Sequence, residues 1–354
     1  MVTTLVVGVL SVFFAFLARY KETKFGLAIS FVIIFLFLGL RFNFGSDYRG
    51  YLDGFSVVNS YSLLDYFLYD GQYEAGWVIL CKIFYPFGFF SMVISLAVFN
   101  CLVYYYIIKK YVPKDYYWVA VFLYAFSPML MLVHSSAMRQ SISIAIFLLS
   151  LDFLYEKKAI KYFACVGCAM LFHTSAIILA PIYMLRSLNW KLNLTIGLCF
   201  LSVLIILLMT GRLSEMIFEF TLNNFQRYSF YDESAEFGTG LGTIIQIGQL
   251  IMVVYFVKYQ NNKNALIFKL SLIQFAFIPI AFFVSMIMRL AMYFEPLFII
   301  VIAIIISNIS SSVIRYGFIT LFIFITFYSL FPFFKSPIWE FANYQTIFSS
   351  TKFY

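Results

Sequence analysis

Long apolar runs, broken by short charged or turn-rich breaks, organise this chain, and their lengths suit a bilayer, which about 20 apolar helical residues cross. The first run, Val2 to Ala18, is followed by Arg19, Lys21 and Lys24. No basic residue precedes it and no A-x-A cleavage pattern follows, so it reads as a span and not as a signal peptide. The positive-inside rule makes the 19–24 loop cytoplasmic and places the N-terminus outside. A second run, 25–40, returns outward to Arg41. A polar outer loop, 41–76, follows, then a short amphipathic piece broken at Tyr85-Pro86-Phe87-Gly88. Further spans are expected at about 89–108, 116–133 and 138–155. Lys109, Lys110, Lys114, Lys157, Lys158 and Lys161 mark their inner ends, and His134 and Arg139 mark an outer turn.

The run 162–185 allows either one crossing or a re-entrant hairpin. Lys161 precedes it, and Arg186 and Lys191 follow. A hairpin breaking near His173-Thr174-Ser175 keeps both basic flanks inside and is the preferred reading. Such broken backbone survives at membrane depth where protein or a wet cavity surrounds it. A span at 192–209 leads to a second long outer loop, 211–242. Spans at 243–257, 266–286 and 290–307 follow, with Lys258, Lys263 and Lys269 inside and Arg289 at an outer turn. A last span, 317–334, leaves the C-terminus outside. The expected fold is therefore all-α: a single polytopic integral membrane domain over 1–354, with about ten full spans plus re-entrant pieces. It carries two long outer loops and no regular repeat.

Composition agrees with the pattern. The set AVILMFWYC makes up 63% of the 354 residues, charged residues only 11%, and 46 Phe with 27 Tyr lift the aromatic share to 22%. Soluble domains hold about 25% charged residues, and no soluble interior of this size hides so much apolar surface. A soluble enzyme, a nucleic-acid-binding domain and a disordered tail are excluded. The five cysteines have no disulfide-framework spacing. Cys165-Val166-Gly167-Cys168 lies inside an apolar run without a second pair, and reads as small buried hydrophobes rather than a metal or redox site.

The net charge of +8 has two components. Inner loops take most of the lysines, which is ordinary topology signalling. The outward set is mostly arginine: Arg41, Arg49, Arg139, Arg212, Arg227 and Arg289, beside Lys82, Lys335 and Lys352. Guanidinium is planar, permanently charged and able to grip phosphate oxygens through paired hydrogen bonds. An arginine at mid-span costs roughly 2.5–3.5 kcal/mol, less near an interface, so one placed in a span suggests function. Arg139 and Arg289 sit at expected outer helix starts and Arg41 at an outer helix end, all at headgroup depth. Snorkelling to bulk lipid explains any one of them; three at matching depth favour a shared anion site.

The outer loops also hold acids and bases. Asp47 follows Arg41 within Arg41-Phe42-Asn43-Phe44-Gly45-Ser46-Asp47-Tyr48, and Glu74 precedes Gly76-Trp77 where the chain re-enters the membrane. A carboxylate there orients or deprotonates a hydroxyl, or simply faces a helix macrodipole. Asp53, Asp65 and Asp70 read as solvated loop charges. His173, one of two histidines, stands at the expected break and serves as a structural hydrogen-bonding residue, a base, or both; His134 is a weaker candidate of the same kind. No G-x-x-x-x-G-K-[ST] loop, H-E-x-x-H or Cys/His cluster occurs, so neither an ATP motor nor zinc catalysis is expected. Gly238-Thr239-Gly240-Leu241-Gly242 has no preceding strand and is not a nucleotide fingerprint. A metal-independent mechanism without cofactor is expected, arginines replacing a divalent cation.

The ordered set Arg41…Gly45-x-Asp47-x-x-x-Tyr51, Glu74-x-Gly76, Arg139-Gln140, Phe172-His173-x-Ser175-Ala176 and Arg289-x-x-x-Tyr293 resembles the EpsG family, grouped with the Wzy-type polymerases of bacterial O-antigen, capsule and exopolysaccharide. The resemblance runs from about residue 25 to 300. It implies a membrane glycosyltransferase on the outer (periplasmic) side of the bacterial inner membrane. Its substrate would be undecaprenyl-diphosphate-linked oligosaccharide, moved from one lipid carrier onto the non-reducing end of a fresh unit. On that reading Arg41, Arg139 and Arg289 form the diphosphate clamp. Asp47, Glu74 or His173 orients or deprotonates the acceptor hydroxyl. Tyr48, Tyr51, Tyr73, Trp77 and Arg227 contact sugar. Membrane lipid and a chain-length regulator protein are the other candidate partners, and nucleic acid is not one. A lipid-linked oligosaccharide flippase, an O-antigen ligase and a polytopic O-acyltransferase are the alternatives. A flippase lines a central cavity with charge, whereas the charge here is sparse and outward.

Overall fold

A computed structural model describes residues 1–69, 71–187, 197, 199, 201, 241–260, 264–281 and 287–349. These residues are helical apart from turns and two strands of two residues each. The chain packs as two compact units, Met1–Arg186 with Ile302–Tyr354, and Ser187–Val301.

In the first unit α1 (Val2–Leu17) pairs with α2 (Gly26–Gly39), α2 with α6 (Phe89–Tyr111), α6 with α9 (Met138–Tyr155), and α9 with α10 (Ala159–Met170). Helix α7 (Tyr117–Phe126) closes against α1. Among the described residues three helices, α6, α9 and Ser312–Lys335, are long and apolar enough to cross a membrane. A fourth crossing results if Lys114–Phe126 and Pro128–Ser136 form one span bent by 58°. The bend has a local cause. Pro128 lacks an N–H and forces Ser127 into an extended conformation (ψ 122°), so α7 stops and a π-turn, Pro128–Leu132, restarts the chain towards α8 (Val133–Ser136). The other apolar helices among the described residues are 10–17 residues long, including α1 and α2, where the sequence suggests full spans.

Helix α6 begins beyond Gly88 (φ 83°) and ends before Pro113 with Lys109 and Lys110 in its last turn, where cations suit the macrodipole. Near its C-terminal end Tyr106, Lys110 and Tyr111 all donate to the Asp152 carboxylate of α9. Midway, Asn100 Nδ2 reaches Ser141 Oγ across the same pair at 3.3 Å. The run 162–185 is not one straight helix. Helix α10 stops at Met170, His173 is extended, and a 3-10 segment, Thr174–Leu179, leads into α11 (Ala180–Ser187). The second arm folds back on the first: Tyr162 donates to the Leu179 carbonyl at 2.7 Å and its ring lies 5.6 Å from that of Tyr183.

The segment 41–76, expected as a polar loop, is mostly helix: α3 (Tyr48–Ser60) and α4 (Leu63–Tyr69), leading into α5 (Ala75–Phe84). Tyr48, Tyr51, Phe55 and Val58 recur at helical spacing and are all buried. They join Trp77, Val78 and Cys81 of α5, Phe89, Met92, Val93 and Leu96 of α6, and Met138 and Ile142 of α9 in one apolar cluster. That cluster seats α3 and α5 on the ends of the two long helices and so positions everything described next.

The second unit contains Leu241–Tyr255, Ala265–Ala281, Met288–Ala291 and the first turns of Glu295–Asn308. Of the loop expected at 211–242, residues 211–240, with Arg227, lie outside the described residues, and Leu241 and Gly242 begin a helix.

Leu148 of α9 is fully buried, whereas its neighbour Leu149 is exposed. Leu148→Ala is expected to cost about 2–5 kcal/mol of unfolding free energy, and Leu149→Ala less than about 0.5. Denaturant titration of the protein in detergent micelles measures both.

Candidate functional site

At the Phe89 end of α6 and the Met138 end of α9, four segments distant in sequence bring polar side chains to one place. Arg139 is the second residue of α9. Its side chain is largely buried, and Nη1 donates to Glu74 Oε2 in an ion pair. Its Nε approaches Tyr51 Oη at 3.5 Å, and the guanidinium lies 4.9 Å from the Tyr73 ring centre and 5.8 Å from that of Tyr51. Stacking on aromatic faces suits guanidinium and leaves its N–H edge available to an anion. The N-terminal end of α9, an 18-residue helix, carries its positive partial charge at the same place.

Glu74 is the residue before α5 and sits in extended conformation (ψ 152°). Its other oxygen, Oε1, lies 3.5 Å from His173 Nδ1. Burial pushes the Glu74 carboxyl up, but the His173 contact and the Arg139 charge outweigh it and bring the pKa down to about 2. The group is therefore an anion at any physiological pH and a poor proton acceptor. What holds Glu74 against His173 is the backbone. The Gly76 N–H donates to the Leu171 carbonyl at 2.8 Å, joining the start of α5 to the break in 162–185. A Cβ at Gly76 would lie 2.7 Å from that carbonyl oxygen, so no side chain fits there without separating the two segments. Both ring nitrogens of His173 are buried, and neither has a partner in hydrogen-bond geometry among the described residues.

Asp47 precedes α3. Its Oδ1 accepts from Ser46 Oγ at 3.1 Å, its N–H donates to Ser136 Oγ at 3.2 Å, and the two serine hydroxyls are 2.9 Å apart. An aromatic wall completes the site: Tyr51 and Trp77 are 4.9 Å apart, Tyr51 and Tyr73 6.3 Å, and Tyr73 and Trp77 6.5 Å. Tyr73 is fixed at both ends, its hydroxyl on the Gly50 carbonyl and its N–H on Tyr66 Oη, each at 3.0 Å.

Of the residues expected from sequence, Glu74, Arg139, His173, Tyr51, Tyr73 and Trp77 come together here, with Asp47 on the adjoining loop. Arg41 takes another place. It is 3% exposed, and its guanidinium donates to the main-chain carbonyls of Leu38 and, at 3.0 Å, Ser135. Burial lowers its pKa to about 10. It joins the end of α2 to α8, with Tyr48 packed against it and donating to its carbonyl at 3.2 Å. Arg289 belongs to the second unit, in the turn Met288–Ala291 that leads to the buried Tyr293 and to Glu295. His134 is buried in the helical core, 5.5 Å from Tyr104 and 6.5 Å from Tyr124, ring centre to ring centre. Ser46 and Ser136 were not anticipated. Ser46-Asp47 just ahead of the helical pattern at 48, 51, 55 and 58 is a helix-start signal; Ser136 gives no signal.

The class these features define is an all-helical protein of apolar helices with one cationic, aromatic-walled site at their ends. The EpsG family model matches residues 24–346. The chain belongs to the EpsG family, and this supports a membrane protein of polysaccharide biosynthesis, a polymerase of the glycosyltransferase kind. No curated protein and no solved structure matches it significantly.

Gly76→Ala is expected to destabilise the fold and loosen the Glu74–His173 contact. Gly167→Ala, where nothing lies within 4 Å, should gain up to about 1 kcal/mol from helix propensity. Thermal unfolding of the two variants in detergent measures the difference, and equal melting temperatures would refute the close approach at residue 76.

Proposed function

We propose that this chain polymerises undecaprenyl-diphosphate-linked oligosaccharide repeat units into surface polysaccharide on the outer face of the bacterial cytoplasmic membrane. The observation that carries the reading is the linked group Arg139–Glu74–His173 beside an aromatic wall. Glycosyl transfer from a lipid diphosphate needs a fixed cation for the leaving group, a base for the acceptor hydroxyl and flat apolar faces for sugar rings. This site offers all three.

Arg139 is the diphosphate ligand. A diphosphate carries more charge than one carboxylate and matches the guanidinium fork, so it displaces Glu74 from the N–H edge while the ring stack on Tyr73 keeps Arg139 in place. Glu74, facing Nδ1, keeps the His173 proton on that nitrogen and leaves the lone pair on Nε2, the arrangement seen when a carboxylate orients a catalytic imidazole. His173 Nε2 takes the proton of the acceptor hydroxyl. That oxygen bonds to the anomeric carbon of the donor sugar, the carbon–oxygen bond to the diphosphate breaks, and its electron pair leaves on undecaprenyl diphosphate, where Arg139 offsets the developing charge. Asp47 orients the acceptor, and the partly exposed ring of Tyr73 supports a sugar ring, with the buried Tyr51 and Trp77 packed behind it. Arg41 acts on the frame and not on the phosphate.

Deletion of the gene in its host should abolish the glycan ladder on a gel while single repeat units persist. Long chains that survive would refute a polymerase; loss of the single unit too would point to a flippase or ligase. Arg139→Lys keeps the charge but loses the fork and the stack, and is expected to slow extension on the order of 10²-fold. His173→Gln should slow extension about 10²–10⁴-fold. Wild-type ladders from both variants would reject the assignment.

A further inference from the structure

The loop that carries Asp47 has little structure of its own. Between the end of α2 and the start of α3 it contains Asn43 at φ 46° and Gly45 at φ 99°. A left-handed conformation at a residue with a side chain costs of order 1–3 kcal/mol and persists only where the surroundings over-determine it. Much of that determination comes from the far end of the chain.

Strand β2 (Gln345–Thr346) pairs antiparallel with β1 (Arg41–Phe42), with Arg41 opposite Thr346 and Phe42 opposite Gln345. The Ile347 N–H extends the ladder to the Leu40 carbonyl at 3.0 Å. Tyr344 stacks on Phe37 with ring centres 4.5 Å apart and planes 13° from parallel, and its hydroxyl donates to the Phe37 carbonyl at 2.7 Å. Phe44 is fully buried between Phe37, Phe341 and Tyr344, at 5.5, 5.2 and 5.3 Å. A Cβ at Gly45 would lie 3.0 Å from Ser136 Cβ and 3.3 Å from the Phe341 ring, so the loop is clamped between α8 and the tail where it turns to present Ser46 and Asp47. The tail is itself anchored. Trp339 packs on Phe333 of the helix Ser312–Lys335 at 4.9 Å and on Phe341 at 6.1 Å, and the Met1 ammonium donates to the Ala342 carbonyl at 2.9 Å.

We infer that residues 336–349 form a strap that positions the Arg41–Asp47 loop, with Phe341 and Tyr344 as positioning residues for the acceptor side of the site. The inference rests on the proposed reaction for its readout, though the contacts do not. The strap acts through Phe44 and Gly45 on Asp47 and touches no reacting atom, so its loss should displace the acceptor and leave the Arg139–Glu74–His173 group intact.

The test uses full-length protein and lipid-linked repeat units extracted from the deletion strain, with protein abundance and melting temperature measured for each variant. Phe341→Ala with Tyr344→Ala is expected to lower extension by up to about 10²-fold, the scale of a misplaced reactant. The loss should appear as a raised KM for acceptor, at near-normal abundance. Tyr344→Phe, which keeps the stack, should retain most activity. Activity equal to wild type in the double variant, or a loss matched by lost protein, overturns the inference. If Arg139→Lys is inactive while the tail variants are normal, only the strap fails; if Arg139→Lys is also normal, the proposed reaction fails with it. A second measurement does not depend on how well the alanine variants fold. In Phe42→Cys with Gln345→Cys the register partners form a disulfide, and the oxidised protein should extend chains as fast as its reduced form. An oxidised form that stops while the reduced form works would make the tail a lid that must open, and would overturn the positioning role.

Discussion

A half-buried guanidinium at the start of a helix is an unstable arrangement unless something answers it. Arg139 stands where the macrodipole of α9 already places positive charge, with aromatic rings over its plane. Glu74 is the answer, and most of the outer architecture follows from the need to deliver it. The carboxylate must arrive from outside α9, so α5 has to begin beside the start of α9. The close approach of Gly76 to Leu171 brings the break in 162–185 to the same point, and with it His173. Removing one partner of such a pair leaves an uncompensated charge, which costs far more than the pair contributes. The geometry is therefore held by the penalty for losing it.

The helices beneath serve as a rigid base. Tyr48, Tyr51, Phe55 and Val58 place one face of α3 on α5, α6 and α9, so the segment 41–76 is a packed outer layer and not a tether. Two positions in that layer lack internal support, and each is held by a segment remote in sequence. The start of α5 is held by the 171–173 break, and the loop before α3 by the C-terminal tail. Loops carry function because a scaffold can place them; here the scaffold includes the last described residues of the chain.

Much of the site was legible in sequence for a compositional reason. In a chain with 11% charged residues, a carboxylate, an arginine or a histidine inside an apolar stretch stands out, and Glu74, Arg139 and His173 were each visible that way. The aromatic wall was visible because Tyr51, Tyr73 and Trp77 flank the same acids. The setting of Arg41 is not legible, because a cation at a helix end looks the same in sequence whether it faces phosphate or main-chain carbonyls; only its bonds to the Leu38 and Ser135 carbonyls decide. The helical nature of 41–76 was hidden because its polar residues suggested a loop, although the spacing of 48, 51, 55 and 58 held the answer. The strap gave no local signal. A two-residue strand pairing across some three hundred positions, and a tyrosine bonded to a carbonyl 307 residues away, depend on tertiary closure alone.

The shared carboxylate also gives each cation of the proposed reaction a counter-charge. Before substrate arrives, Glu74 pairs with Arg139 through Oε2 and faces His173 Nδ1 with Oε1. When a diphosphate occupies the arginine, Glu74 is released from one partner but still faces His173 Nδ1. As the imidazole takes the acceptor proton it becomes a cation, and the carboxylate already stands against it. One anion thus serves two cations in succession, first the clamp and then the protonated base, and no buried charge is left unanswered at either step. A site with separate counter-ions for each would need another buried carboxylate, in a layer where aromatic rings already fill the space. The depressed pKa of Glu74 is what permits this economy: a carboxylate that took the proton itself would lose the charge that both of its partners require.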